Sequence, residues 1–247
     1  MEWREEAGVR WLEAALPGAR AVFSTRRGGV SAPPFESLNL GLLTGDEPGS
    51  VRENRLLLAD AVGIHPHGVL IGRQVHGAEL SVHSEAQEAD AFARPGPRLA
   101  EVDGHATARP GLVPLVFVAD CLPIALAGPR GVAMVHGGWR GLAGGIVERG
   151  AEAVSATAAA VGPGIGPCCY EVGEEVLDAF SGLGAGIAEG RRLDLAEAAR
   201  RLLAAAGVGA VESSGICVSC ERELFFSHRR DAGTTGRQAG MVELWPS

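Results

Sequence analysis

The chain of 247 residues contains no lysine; all 22 of its basic residues are arginine. Schiff-base chemistry and the phosphate-gripping lysine of a Walker motif are therefore excluded. Also missing is any run of ~18 uncharged apolar residues, so no membrane-spanning helix is expected. The opening residues Met1 to Gly8 lack the basic and apolar regions of a secretory signal, which points to the cytoplasm. No low-complexity tract, internal repeat or linker-like stretch divides the sequence, so one domain over residues 1–247 is expected. Acidic residues outnumber basic ones, 30 to 22, and a net charge of −8 repels phosphate backbones and anionic lipid. Nucleic acid and membranes are not expected partners.

Five cysteines, an odd number, argue against a disulfide framework in a cytoplasmic protein. Cys217 and Cys220 have CxxC spacing, but a zinc ribbon needs a second such pair. Adjacent Cys168-Cys169 does not supply one, so these four read as small buried hydrophobes in loops.

The periodicity predicts helices over Val9 to Leu16, Ser50 to Val62 (Ser50 as N-cap, Glu53 closing a capping box), Gly141 to Ala153, Glu171 to Phe180 and Leu193 to Ala206. Strands are expected at Arg20 to Thr25, Val69 to Val75, Glu79 to Val82, Val113 to Val118, Gly131 to Val135 and Ala156 to Val161. The glycines and prolines of residues 162–167 read as a tight turn, because a dinucleotide loop would need its third glycine at Pro167 or Cys169.

Three strand ends carry chemistry. Val113 to Val118 leads into Asp120-Cys121, Gly131 to Val135 runs into His136-Gly137-Gly138, and Val69 to Val75 delivers His76. A His/Cys/His set matches the donors zinc prefers and leaves a fourth position for water or substrate. The same residues also make a Cys-His nucleophile pair, with Cys121 attacking, His136 or His76 as base and Asp120 as orienter. Adjacent strand residues face opposite ways, so Asp120 joins Cys121 only if the strand breaks between them. Residues 45 and 15 apart do not decide between the two readings. His65, His67, His83 and His105 lie among polar or turn residues and are expected at the surface.

Eight motifs in order carry a resemblance over nearly the whole chain. They are Ser24-Thr-Arg-Arg-Gly-Gly-Val-Ser31, Ser37-Leu-Asn-Leu-Gly41, Glu53-Asn-Arg55, Gln74-Val-His-Gly77, Ala119-Asp-Cys-Leu-Pro-Ile124 and His136-Gly-Gly-Trp-Arg-Gly141, followed by residues 162–173 and 225–238. The sequence resembles the bacterial polyphenol oxidase or laccase-domain family, also described as purine nucleoside phosphorylases and linked to peptidoglycan editing. The resemblance implies an α/β (α+β) fold of mixed sheets flanked by helices, related to the catalytic domain of cytotoxic necrotising factor. It further implies zinc on His76, Cys121 and His136, phosphorolysis of adenosine, inosine, guanosine and methylthioadenosine, and adenosine deamination. Gly137 stands where the family usually has Ala and His228 where it often has Tyr; Cys220 belongs to no family motif.

Within that resemblance Asp120 and Glu171 are the candidates for moving protons. Without lysine, phosphate falls to arginines, and Arg55, Arg140 and Arg229 are the candidates by the motifs they sit in. Asn39 reads locally as a turn residue and, by its motif, as substrate-binding. Seven histidines are too few for a four-copper centre once surface ones are discounted, although copper could replace zinc at a single site because it binds more tightly. The alternatives are a Cys-His hydrolase acting on an amide or peptidoglycan-precursor bond, a copper-dependent polyphenol oxidase, and a metal-carrying module without turnover.

Overall fold

The computed structural model describes residues 1–87, 91–93 and 99–245. In chain order its strands are β1 (Glu2–Glu6), β2 (Val9–Leu16), β3 (Ala19–Ser24), β4 (Val69–Leu70), β5 (Leu80–His83), β6 (Gly104–Thr107) and β7 (Val113–Val118). They continue as β8 (Leu122–Gly128), β9 (Gly131–Gly137), β10 (Ala158–Val161), β11 (Ala188–Glu189), β12 (Arg192–Leu193), β13 (Ala210–Ser213) and β14 (Gln238–Leu244). The helices are α1 (Pro48–Val62), α2 (Trp139–Ala143), α3 (Ile146–Val154), α4 (Glu174–Phe180) and α5 (Leu195–Ala205).

Two six-stranded mixed sheets form, ordered β1-β2-β3-β14-β7-β4 and β13-β10-β8-β9-β6-β5. Strand alternation turns them into layers. Val116 and Val118 of β7 join Ala125 and Ala127 of β8 and Val132 and Met134 of β9 in one core between the sheets. The other face of β7, Val113 and Leu115, packs with Leu58, Ala59 and Val62 of α1. On the far side Leu122, Ile124 and Leu126 of β8 meet Ile146, Val147 and Ala151 of α3 and Leu203 of α5. The result is an α/β/β/α stack of the α+β class.

The first expected helix is instead β2. Glu6↔Val9 and Leu16↔Ala19 close two-residue hairpins on either side of it, through Ala7-Gly8 and Pro17-Gly18. Ala7 and Gly8 both take positive φ, +50° and +82°, the turn geometry that matches strand twist. Pairing on both edges outweighs the helix propensity of the Leu-Glu-Ala-Ala-Leu segment.

Helix α1 starts two residues before the expected cap, with Pro48 in its first turn and Glu47 as N-cap without a side-chain bond, so the Ser50–Glu53 box does not form. Gly144-Gly145, the latter at φ +89°, splits the expected Gly141 to Ala153 helix into α2 and α3. The segment expected as a strand to Val75 pairs only at Val69 and Leu70, and β8, for which no element was expected, pairs with β9 from Leu122 to Gly128. Helix α4 begins only at Glu174, leaving Glu171 in an extended bridge with Arg192.

Candidate metal centre

The site lies where β7, β8 and β9 end together. Asp120, at φ +92°, lies in the break between β7 and β8, so the strand does not persist through Asp120 and Cys121. The β8–β9 register sets Pro123 opposite His136, so Cys121 sits at the same end of the pair as His136. His76 arrives on the loop after β4, where the Gln74 side chain accepts from Phe117 N–H (2.8 Å) and donates to Phe117 C=O (2.8 Å), extending the sheet by one residue.

The ligating atoms of His76, Cys121 and His136 all lie within 4.8 Å of one another. The two imidazoles meet edge to face with centroids 4.9 Å apart. His136 is buried, Cys121 half-buried and His76 exposed, so the group is closed behind and open toward solvent on the His76 side. A Cβ at Gly138 would come within 3.2 Å of Cys121 Sγ and 3.3 Å of His76 Cδ2, which explains the bare backbone there.

The residue that organises this group was not among those singled out in the sequence. Asp103, fully buried, accepts N–H bonds from Val75 (3.0 Å), His76 (3.0 Å) and Gly77 (2.8 Å) and sits 2.7 Å from His136 Nδ1. Those three N–H bonds hold His76 at φ +60°, a conformation non-glycine residues seldom adopt. Because Nδ1 faces the carboxylate, Nε2 is the nitrogen left for a metal, the carboxylate–histidine arrangement of many metal sites. Burial alone would raise the Asp103 pKa, but the His136 bond and the Val75 and Gly77 N–H groups hold it below the usual carboxylate value.

Burial would likewise raise Cys121, yet the charge of His136 and bonds to both histidines bring it down to about 6. Burial works against the charged form of His136 too, but Cys121 and Asp103 raise it to about 9. The two shifts, opposite in direction, favour a thiolate–imidazolium pair.

The other expected site residues divide. Arg140 is exposed, its guanidinium stacks on Trp139 (4.3 Å), and that guanidinium has no hydrogen bond or ion pair among the described residues. Arg229 donates to Glu171 C=O (2.8 Å) and lies 5.4 Å from the Tyr170 ring. Tyr170 is brought into this group: burial chiefly, then the negative charge of Cys121, pushes its hydroxyl up to about 12, and Arg229, Asp120 and Arg140 all bear on it. The carboxylate of Asp120 accepts from Ser227 Oγ (2.6 Å) and Arg229 N–H (2.6 Å).

Three other expected residues have structural partners. Arg55 is 3% exposed and donates to the carbonyls of Leu40 (2.9 Å) and Phe92 (2.6 Å), and burial lowers it to about 9. Asn39 is wholly buried, its oxygen accepting from Gly41 N–H and Arg237 N–H and its amide donating to Thr44 and Asp46, so it ties a turn. The Glu171 carboxylate is exposed and lies 3.9 Å from Arg191.

His65 and His67 are exposed as expected, but His105 is buried, its Nδ1 3.1 Å from Nε2 of half-buried His83, and desolvation drops it to about 3. The four loop cysteines are not scattered hydrophobes either, since the sulfurs of Cys168, Cys169, Cys217 and Cys220 all lie within 4.8 Å of one another.

A two-sheet α+β scaffold with histidine and cysteine donors gathered at one sheet end defines a candidate metalloprotein. The chain belongs to the multi-copper polyphenol oxidoreductase laccase family, whose model matches residues 20–245. It is 42% identical over 251 residues to the purine nucleoside phosphorylase of Deinococcus radiodurans, covering 96% of this chain and 94% of that one. It is 37% identical over 256 residues to purine nucleoside phosphorylase YlmD of Geobacillus stearothermophilus, covering 94% and 93%. The crystal structure of YlmD from Geobacillus stearothermophilus superposes with a TM-score of 0.89 at 36% identity, and that of Bacillus licheniformis hypothetical protein YfiH with 0.87 at 35%, each covering 98% of both chains. Among the described residues no helix is long and apolar enough to cross a membrane.

Proposed function

We propose that the whole chain, as one domain, is a cytoplasmic zinc-dependent purine nucleoside phosphorylase that splits adenosine, inosine, guanosine and methylthioadenosine with phosphate and also deaminates adenosine. The observation that carries this reading is the convergence of His76, Cys121 and His136 on one point, braced by Asp103, in a chain whose relatives are named purine nucleoside phosphorylases. Two imidazoles and one thiolate are donors suited to zinc, and they leave a position free. Zinc held there would act as a Lewis acid and lower the pKa of a bound water.

The chain's own residues supply the rest. Asp103 fixes the His136 tautomer and the His76 backbone. Arg140, stacked but without an acidic partner among the described residues, is the cation free to bind phosphate, and Arg229 lies on the same side across Tyr170. Tyr170, held protonated far above neutral pH, offers a ring face and a hydroxyl to the nucleoside. Asp120 is the carboxylate that would move a proton, oriented by Ser227 and the Arg229 N–H.

A second reading, a Cys-His hydrolase, is favoured by the thiolate–imidazolium pair of the metal-free site. Product chromatography of adenosine incubated with and without phosphate tests the first. Phosphate-dependent adenine release supports it, as does inosine formation for deamination. Turnover of neither by fully metallated protein, with an amide substrate cleaved by the metal-free chain, would transfer the assignment to the hydrolase.

A further inference from the structure

We propose that Cys168, Cys169, Cys217 and Cys220 form a second metal site, a four-thiolate structural zinc centre that clips two loops together beside the candidate catalytic group. Cys168 Sγ lies 3.5 Å and Cys169 Sγ 3.6 Å from Cys220 Sγ, and no pair in the set exceeds 4.8 Å. With Zn–S bonds of about 2.3 Å, the edge of a sulfur tetrahedron is about 3.8 Å, so the four sulfurs need only small rotations to enclose one ion.

The backbone explains how adjacent cysteines converge. Cys169 N–H and Tyr170 N–H both donate to Gly166 C=O (3.0 Å each), which wraps residues 166–170 into a helical turn. Successive side chains in such a turn point roughly 100° apart instead of opposite ways, so Cys168 and Cys169 can serve one centre.

The partner loop is shaped like a metal knuckle. Cys220 N–H and Glu221 N–H donate to Cys217 C=O (3.1 and 3.0 Å), folding Cys217-Val218-Ser219-Cys220 back on itself. Gly166 N–H donates to Cys217 Sγ at 3.2 Å. N–H donors favour a thiolate over a thiol, as a metal ligand requires. Arg230, paired with Asp231 (2.8 Å), places its guanidinium on the carbonyls of Val218 (3.0 Å) and Ser219 (3.4 Å) and so fixes the knuckle backbone.

The position gives the centre a task. Ile165 N–H donates to Asp120 C=O (2.7 Å), Tyr170 follows the turn directly, and the knuckle leads to Ser227 and Arg229. A metal joining the two loops would hold Tyr170, Asp120 and Arg229 in one arrangement.

The test is metal stoichiometry on full-length protein purified anaerobically and exchanged into metal-free buffer, comparing wild type, His76→Ala and the double variant Cys217→Ser/Cys220→Ser. The expected zinc content is two ions per chain in wild type and one in each variant. One ion in both wild type and His76→Ala would sustain this centre and remove the catalytic one. Cobalt added to metal-free His76→Ala should give intense thiolate charge-transfer absorption that saturates at one equivalent. If the double variant does not fold, alkylation of wild type decides: all four cysteines should resist iodoacetamide until chelator is added. Free alkylation in zinc-loaded protein, a metal-free His76→Ala chain without the cobalt band, or a disulfide among these cysteines in place of metal would each overturn the proposal.

Discussion

Asp103 does more for the candidate centre than any single ligand, because it fixes two of them at once. Asp103→Asn keeps the shape but loses the charge that faces His136 Nδ1, and outer partners of this kind change metal affinity by about 10- to 100-fold. A competitive chelator titration should show that drop, with a smaller loss in a His76→Cys variant that retains the carboxylate. The ionic pair at Cys121 and His136 sets a pH dependence. Cys121, depressed to about 6, contributes as thiolate above that value and loses its charge as pH falls through it; His136, raised to about 9, keeps its proton until pH rises through about 9. Between the two, zinc must displace the imidazolium proton, so binding should release close to one proton near pH 7.5 and more as pH falls below 6. Calorimetry in buffers of different ionisation enthalpy measures that number; no proton release at pH 7.5 would contradict the assigned states.

At the scale of elements, what could be read in the sequence followed from how local the signal was. His76, Cys121 and His136 each end an apolar run beside small residues, and that was visible without a structure. Asp103 was not, since it lies 33 residues from the imidazole it orients and meets it only because β6 pairs with β9. The cysteine cluster was set aside for another reason, that adjacent Cys168-Cys169 lacks CxxC spacing, whereas the turn of residues 166–170 brings both sulfurs to Cys220 across more than 50 residues of chain. Strand β2 carries helix-favouring residues and becomes a strand by pairing with β1 and β3, whereas β8 was not among the expected strands although Leu126 and its neighbours are completely buried. Because β8 sits between β10 and β9 and faces α3, Leu126→Ala should destabilise the protein by about 2–5 kcal/mol while leaving zinc content unchanged. Urea unfolding and metal analysis of the same sample check both halves; a change below ~1 kcal/mol would mean that the sheet–helix core does not depend on this strand.

For the whole molecule, the two sheets form a rigid frame and the chemistry gathers at one end of it, where loops from widely separated parts of the chain meet. The net charge of −8 does not describe that end, where Arg140 and Arg229 flank Tyr170 and the centre can attract an anion despite an acidic surface. Arg140→Gln should raise KM for phosphate at least several-fold with zinc content and fold intact, measured by initial rates at varied phosphate; an unchanged KM would place the anion elsewhere. The most direct measurement is adenosine turnover by wild type and His76→Ala across a zinc titration from the metal-free state. The account predicts that wild-type product formation rises in step with filling of the His76, Cys121 and His136 site and that His76→Ala stays inactive at the same total zinc. Equal turnover by the two proteins, or none by wild type carrying its full complement of zinc, would contradict it.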